Sequence, residues 1–187
     1  MGCWGITAFE SDAGLDAVGF IRKHLPDNGT LELEKIISEL RRDGWNAPPP
    51  TEDADAHTSP MALAEIMINF MDGNAGSMDY DEAWAEKDNK FSAVTSFIAS
   101  RESVRWLRDY LCDTLKSAIN DAENGRKWGG WFQEKDWLGW QNHMGTLIGR
   151  LDGVLAADGN TLVLFSAEQE AAMESKQTPG DSGMTMK

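Results

Sequence analysis

Hydrophobic positions along this chain recur mostly at helical spacing. Residues 1–10 are apolar and punctuated by glycine. Ser11 or Asp12 then caps a first helix that runs to about His24, with Ala17, Val18, Ile21 and Leu25 on one face. Pro26, Asn28 and Gly29 stop it. Thr30 caps a second predicted helix, in which Leu33, Ile36, Ile37 and Leu40 follow the i, i+3, i+4, i+7 pattern. Glu32 and Glu34 stand at its start and Arg41 and Arg42 at its end, the arrangement that the helix dipole favours. Residues 43–59 hold Pro48 to Pro50 and several acids, which predicts an extended, solvated loop.

Ser59-Pro60 opens a further helix that runs to about Asp72. Its Met61, Leu63, Ile66, Met67, Ile68, Phe70 and Met71 cover nearly every face, so it should be buried. Methionine richness also suits an adaptable binding groove, but core filling is the reading that burial preferences favour. Helical stretches are predicted at about 79–85 and 90–99. The longest clean helix is predicted at about 103–123, with Val104, Leu107, Leu111, Leu115, Ala118 and Ile119 in one stripe. Arg101, Arg105 and Arg108 lie mainly off that stripe among acids, as on a salt-bridged face.

A last long helix is predicted at about 133–157. Trp137, Trp140, Met144, Leu147, Leu151 and Leu155 line one face, and Gly145, Gly149, Gly153 and Ala157 fall every four residues on another. Each helical glycine costs roughly 1 kcal/mol relative to alanine. The stripe therefore predicts a close neighbouring backbone or aromatic face, with a ligand lying against it as the alternative. On that reading Gly149→Leu should destabilise far more than Gly139→Leu. Thr161 to Phe165 is the best strand candidate, and residues 4–8 are its expected partner. The pattern as a whole predicts a mainly α, single-domain helical bundle over residues 1–166. Its minor β element would lie at about 4–8 and 161–165. Residues 167–187 read as a tail, disordered from about 177.

Composition refines this picture. A chain of 187 residues with 41% apolar content can bury one core. Eight tryptophans against two tyrosines predict that most tryptophans are buried. Cys3 and Cys112 read as free thiols in a reducing compartment. The N-terminus lacks a basic, then apolar, signal pattern, and no run approaches the roughly 18 apolar residues of a membrane span. Ile6 stands where a myristoylation signal wants Ser or Thr. A cytoplasmic protein without membrane association is expected.

Charge changes the picture more. The net charge is −14, and −10 of it lies between Asp43 and Glu86, where there are ten acids and no Lys or Arg. Such a field attracts basic partners and repels phosphate backbones. A basic protein partner is therefore expected, met by Glu52, Asp53, Asp55, Asp79, Asp81 and Glu82. Solubility alone is the competing reading. Direct nucleic-acid binding is disfavoured, although Arg126-Lys127-Trp128 has the composition of a base-stacking turn.

Motifs that carry chemistry are mostly missing. His24, His57 and His143 are far apart, and neither cysteine has a partner at metal-ligand spacing. His143 lies near the tryptophan face and reads as a packed histidine. Asp72, Asn74 and Ser77 fail as a calcium loop because Ala83 stands where a bidentate Glu is required. Phosphate-cradling glycine loops and the hydrolase nucleophile elbow are also absent. No cofactor, metal or catalytic residue is predicted. Glu10, Asp12 and Asp16 cluster at the start of the first helix, where capping and dipole compensation account for them.

The opening Met1-Gly-Cys-Trp-Gly-Ile-Thr-Ala-Phe-Glu-Ser-Asp-Ala-Gly-Leu-Asp16 resembles the start of the bacterial family called DUF4259. Trp4, Gly5, Phe9, Asp12 and Asp16 match its pattern, with Glu10 inside the motif, and Gly14 departs from the usual Ala. The resemblance covers about twenty residues. It implies a bacterial cytoplasmic protein and no particular reaction. In physical terms the motif reads as a Trp and a Phe anchoring the N-terminus ahead of an acid-capped helix. The leading functional expectation is an acidic protein-binding module of the immunity or inhibitor kind. The alternatives are a metal-dependent enzyme using Glu10, Asp12 and Asp16, or a mimic of the nucleic-acid backbone. Nothing in the sequence sets the oligomeric state.

Overall fold

A computed structural model describes residues 2–52, 58–79, 89–126 and 134–177. Among them, six α-helices pack with one small three-stranded sheet. Helix α1 spans Asp12–Lys23, and the Ser11 hydroxyl caps it by accepting from Gly14 N at 3.0 Å. Strand β1 (Thr30–Glu32) leads directly into α2 (Leu33–Arg42). Helix α3 (Thr58–Met71) follows, then β2 (Ser96–Ser100) and the 23-residue α4 (Arg101–Glu123). Helix α5 (Trp137–Leu155), β3 (Thr161–Leu164) and α6 (Ala167–Gln177) complete the order.

Helix α3 occupies the middle, in contact with α1, α4 and α5. Its all-round apolar surface is buried as predicted, with Leu63, Met67 and Ile66 at most 1% exposed. The methionines here are core. Helix α5 packs against α4 and α3 and buries Trp140, Met144, Leu147, Leu151 and Val154. Arg101, at the first position of α4, ties the two together. Its guanidinium donates to Leu155 O at 2.5 Å, Gly159 O at 2.8 Å and Ala157 O, carbonyls around the end of α5 that the helix leaves unpaired. Arg108 pairs with Asp152 of α5 at 3.4 Å, so part of the predicted salt-bridged face is real.

The sheet order is β1-β2-β3, with β1 parallel and β3 antiparallel to β2. Leu31 stands opposite Phe97, and Ala99 opposite Leu162. This arrangement corrects three expectations. The stretch 90–99 is not a helix: a turn precedes β2, whose Phe97 and Ala99 are buried while their neighbours are not. Its alternation has period 2, and partners on both sides satisfy its backbone. Thr30 belongs to β1 rather than to a helix cap, and Glu32 precedes the first turn of α2. The partner of 161–164 is β2, not residues 4–8. Those residues form a bend and the entry to a 3₁₀ turn at Ala8–Glu10, held by a bridge between Cys3 and Ser11. Residues 167–177, which open the expected C-terminal tail, form α6.

The glycine stripe is also corrected. A Cβ placed on Gly145, Gly149 or Gly153 would meet nothing within 4 Å. The close approach occurs instead at Gly139, where Ile6 Cγ2 lies 3.3 Å from such an atom. Helix α5 buries its tryptophan and leucine face, so the small residues line an open side. Tryptophan burial is mixed as well: Trp140 is fully buried, but Trp4 and Trp45 are 53% and 66% exposed. The two cysteines form no disulfide. The expected helix at 79–85 lies outside the described residues beyond Asp79, as does the expected disorder of 178–187.

Candidate functional site

Helix α3 carries a single charged residue, Glu65, in the sequence TSPMALAEIMINFM. An ionisable group inside an apolar helix is costly to bury unless it finds partners. Glu65 is 5% exposed and finds two. Ala8 N donates to its Oε1 and Oε2 at 3.0 and 3.1 Å. His143, one turn of α5 beyond Gly139, places Nε2 2.6 Å from Oε1. A carboxylate only accepts, so Nε2 is the ring nitrogen that carries the hydrogen toward Glu65. The pair lies at one end of a groove of about 400 Å³, with Thr7, Phe9, Asn69 and Ser77 among its walls.

The N-terminal motif builds the other wall. Trp4 N donates to Glu10 O at 2.9 Å, and Asp12 N donates to Gly2 O at 3.0 Å. Asp12 returns the favour through Oδ2, which accepts from Gly2 N at 2.6 Å. Glu10 folds back over its own turn, and its Oε2 accepts from Ile6 N, Thr7 N and the Thr7 hydroxyl at 2.9, 3.1 and 3.1 Å. The Thr7 amide above all holds the Glu10 carboxyl below the usual carboxylate range; the Ile6 amide, the Thr7 hydroxyl and nearby His143 add to this, against the effect of burial. Two glycines make the fold-back sterically feasible. A Cβ on Gly5 would fall 2.1 Å from Glu10 Cδ, and one on Gly14 only 1.8 Å from Ala8 O. Gly14 is thus the residue that lets α1 touch the 3₁₀ turn.

Chemically, the arrangement is a carboxylate-oriented imidazole beside a partly apolar groove. The hydroxyls at its rim are engaged elsewhere: Thr7 donates to Glu10, and Ser77 to Asn74 O at 2.7 Å. Burial, chiefly, raises the Cys3 thiol above its ordinary value, with Asp136 and Glu10 adding to this and a hydrogen bond with Gly5 opposing it. That is the reverse of what an activated nucleophilic cysteine needs. Among the described residues no group of three or more His, Cys, Asp or Glu side chains is placed to hold a metal ion. The first job of the Glu65–His143 pair is structural: it clamps the N-terminal segment onto α3 and α5.

The other sequence-predicted positions scatter. Asp16 is exposed on α1. Trp4 is half exposed, so Phe9 and Ile6, which pack on the core, and the fully buried Ala8 anchor the N-terminus in its place. Glu52 is exposed. Asp79, expected on a partner surface, is 4% exposed. Its carboxylate accepts from Phe91 N, Ser92 N and the Ser92 hydroxyl at 2.9, 2.7 and 2.6 Å and closes a loop. Asp53, Asp55, Asp81 and Glu82 lie outside the described residues. Sequence reading missed Glu65 as the partner of His143. The signal was present in the lone acid of an otherwise apolar helix. No family model, no curated protein and no solved structure matches this chain.

Proposed function

We propose that this protein is an acidic binding module that recognises a basic protein surface, of the kind used by immunity or inhibitor proteins. The observation that carries the reading is the stretch from Asp43 to Glu86, ten acids with no Lys or Arg. Some of these acids are already engaged within the fold. Asp43 accepts from Trp45 N and Asn46 N, Glu65 and Asp79 are buried, and Asp72 pairs with Arg150 at 2.5 Å. Glu52 stays exposed, and Asp53, Asp55, Asp81, Glu82 and Glu86 lie outside the described residues; on this reading the partner meets the segment around Glu52, with Trp45 nearby in the chain. An exposed tryptophan near such a surface is a typical interface anchor. Tyr110 donates to Pro49 O at 2.5 Å and fixes the base of this segment on α4.

The metal-enzyme alternative has less support, because Glu10 and Asp12 spend their carboxylates on the backbone of the N-terminal segment. The resemblance to DUF4259 assigns no reaction. Capture from native lysate at about 50 and 500 mM salt, with wild type and an E52Q/D53N/D55N variant side by side, tests the proposal. The expected result is a basic protein retained by wild type at low salt, and lost both at high salt and with the variant. The same proteins on both baits, or retention indifferent to salt, would overturn it.

A further inference from the structure

The two edges of the sheet differ. The β1 edge is charged, with Glu32 paired to Lys35 at 2.5 Å. The β3 edge is not: Val163 and Phe165 are 48% and 38% exposed, and no charged side chain stands between Thr161 and Phe165. No further strand lies beyond β3 among the described residues. An exposed, uncharged edge invites strand addition unless something covers it. Here the edge borders a groove of about 410 Å³, whose far wall is the open side of α5 at Gly149 and Gly153, continued by Ala157 just past the helix. The absence of side chains on that wall leaves room for the side chains of an added strand. Thr161 to Phe165 all line the groove, a length of about 17 Å, or five extended residues.

The charges around it select an occupant. Asp158 and Glu170 lie in the lining, and the one lining base, Arg150, is already held by Asp72 at 2.5 and 3.2 Å. A second copy of this chain would set these acids near their own equivalents, on a body already at −14. We infer that the groove between β3 and α5 takes an extended basic segment of a partner protein, which pairs its backbone with β3 and lays apolar side chains along the glycine side of α5. The inference deepens the binding-module reading by naming a second contact, and it rests on that reading only for the sign of the partner's charge.

The test uses a fluorescein-labelled heptapeptide of alternating Lys and Val, followed by anisotropy and by amide hydrogen exchange on the full chain. Binding should slow exchange at 161–165. It should weaken at least tenfold in Gly153→Leu, whose Cβ would meet nothing within 4 Å in the fold and whose side chain would occupy the groove. It should weaken also in D158K/E170K, and a Glu-Val peptide should not bind. Four results would overturn the inference: no protection at 161–165 with about 1 mM peptide; protection confined to 45–52; equal binding by Gly153→Leu; or a wild-type dimer in light scattering that Val163→Lys dissociates. The E52Q/D53N/D55N variant separates the two proposals. It should leave peptide binding to the groove unchanged while abolishing capture of the native partner, so either proposal can fail alone.

Discussion

Replacing Gly14 with alanine adds one methyl group at the tightest glycine contact in the described chain. The new Cβ would sit 1.8 Å from Ala8 O, 2.5 Å from Ala8 C and 2.8 Å from Ala8 Cα. An ordinary carbon–oxygen contact is about 3.3 Å, so the shortfall is about 1.5 Å. All three atoms belong to backbone, and no side-chain rotation relieves the clash. Ala8 cannot retreat freely, because its amide is held by the buried Glu65 carboxylate at 3.0 and 3.1 Å. Helix α1 must therefore shift as a body against a close-packed core. Overpacking of this kind costs about 1–3 kcal/mol and sometimes more. The gain in helix propensity from Gly to Ala returns at most about 1 kcal/mol. A net loss of up to about 2 kcal/mol is expected, which lowers Tm by up to about 4–8 °C for a domain of this size. Gly149→Ala is the internal control. It has the same chemistry on a helix but meets nothing within 4 Å, so it should raise Tm by about 2–4 °C. Thermal melts of both variants, with urea unfolding for the slope, measure the difference. A Gly14→Ala protein as stable as wild type, or one more stable than Gly149→Ala, would refute the packing argument.

Three further outcomes follow from the same geometry. Arg101→Ala should destabilise by about 2–3 kcal/mol in urea unfolding, because carbonyls at the end of α5 lose a charged donor, and Arg101→Lys should recover less than half, since an ammonium lacks the planar fork. Glu65→Leu should cost about 2–4 kcal/mol by leaving Ala8 N and His143 unpaired, whereas Glu65→Gln, which keeps an acceptor for Ala8 N, should cost about half of that. For Glu10 the sign is set by a carboxyl pKa lowered in the fold. Its stabilisation is complete above the ordinary glutamate value of about 4.3 and fades as pH falls through the lowered folded value. The gap in Tm between wild type and Glu10→Gln should therefore be widest near pH 7 and close toward pH 3, and a gap that grows with acid would contradict the assignment.

The sequence by itself determined the helices whose apolar spacing is long and regular. Helices α1, α3, α4 and α5 fall within a few residues of where the apolar pattern places them, because each carries a long run of regularly spaced apolar residues of its own. The buried character of α3 was legible for the same reason. What tertiary structure decided is everything that depends on a partner far along the chain. Ser96–Ser100 reads as a weak helix in isolation, and it becomes a strand because Thr30–Glu32 and Thr161–Leu164 arrive on either side to satisfy its backbone. Gly149 and Gly14 carry the same residue type, yet one faces open space and the other a carbonyl oxygen, a difference set by which face α5 buries and how the N-terminal turn lies on α1. The acids of 43–86 look alike in sequence. Only folding separates Asp79, which closes a loop, and Glu65, which reaches His143 across 78 positions, from Glu52, which stays in water. Charge is counted along a chain, but its use depends on what lies within about 3 Å, and that distance is a property of the fold.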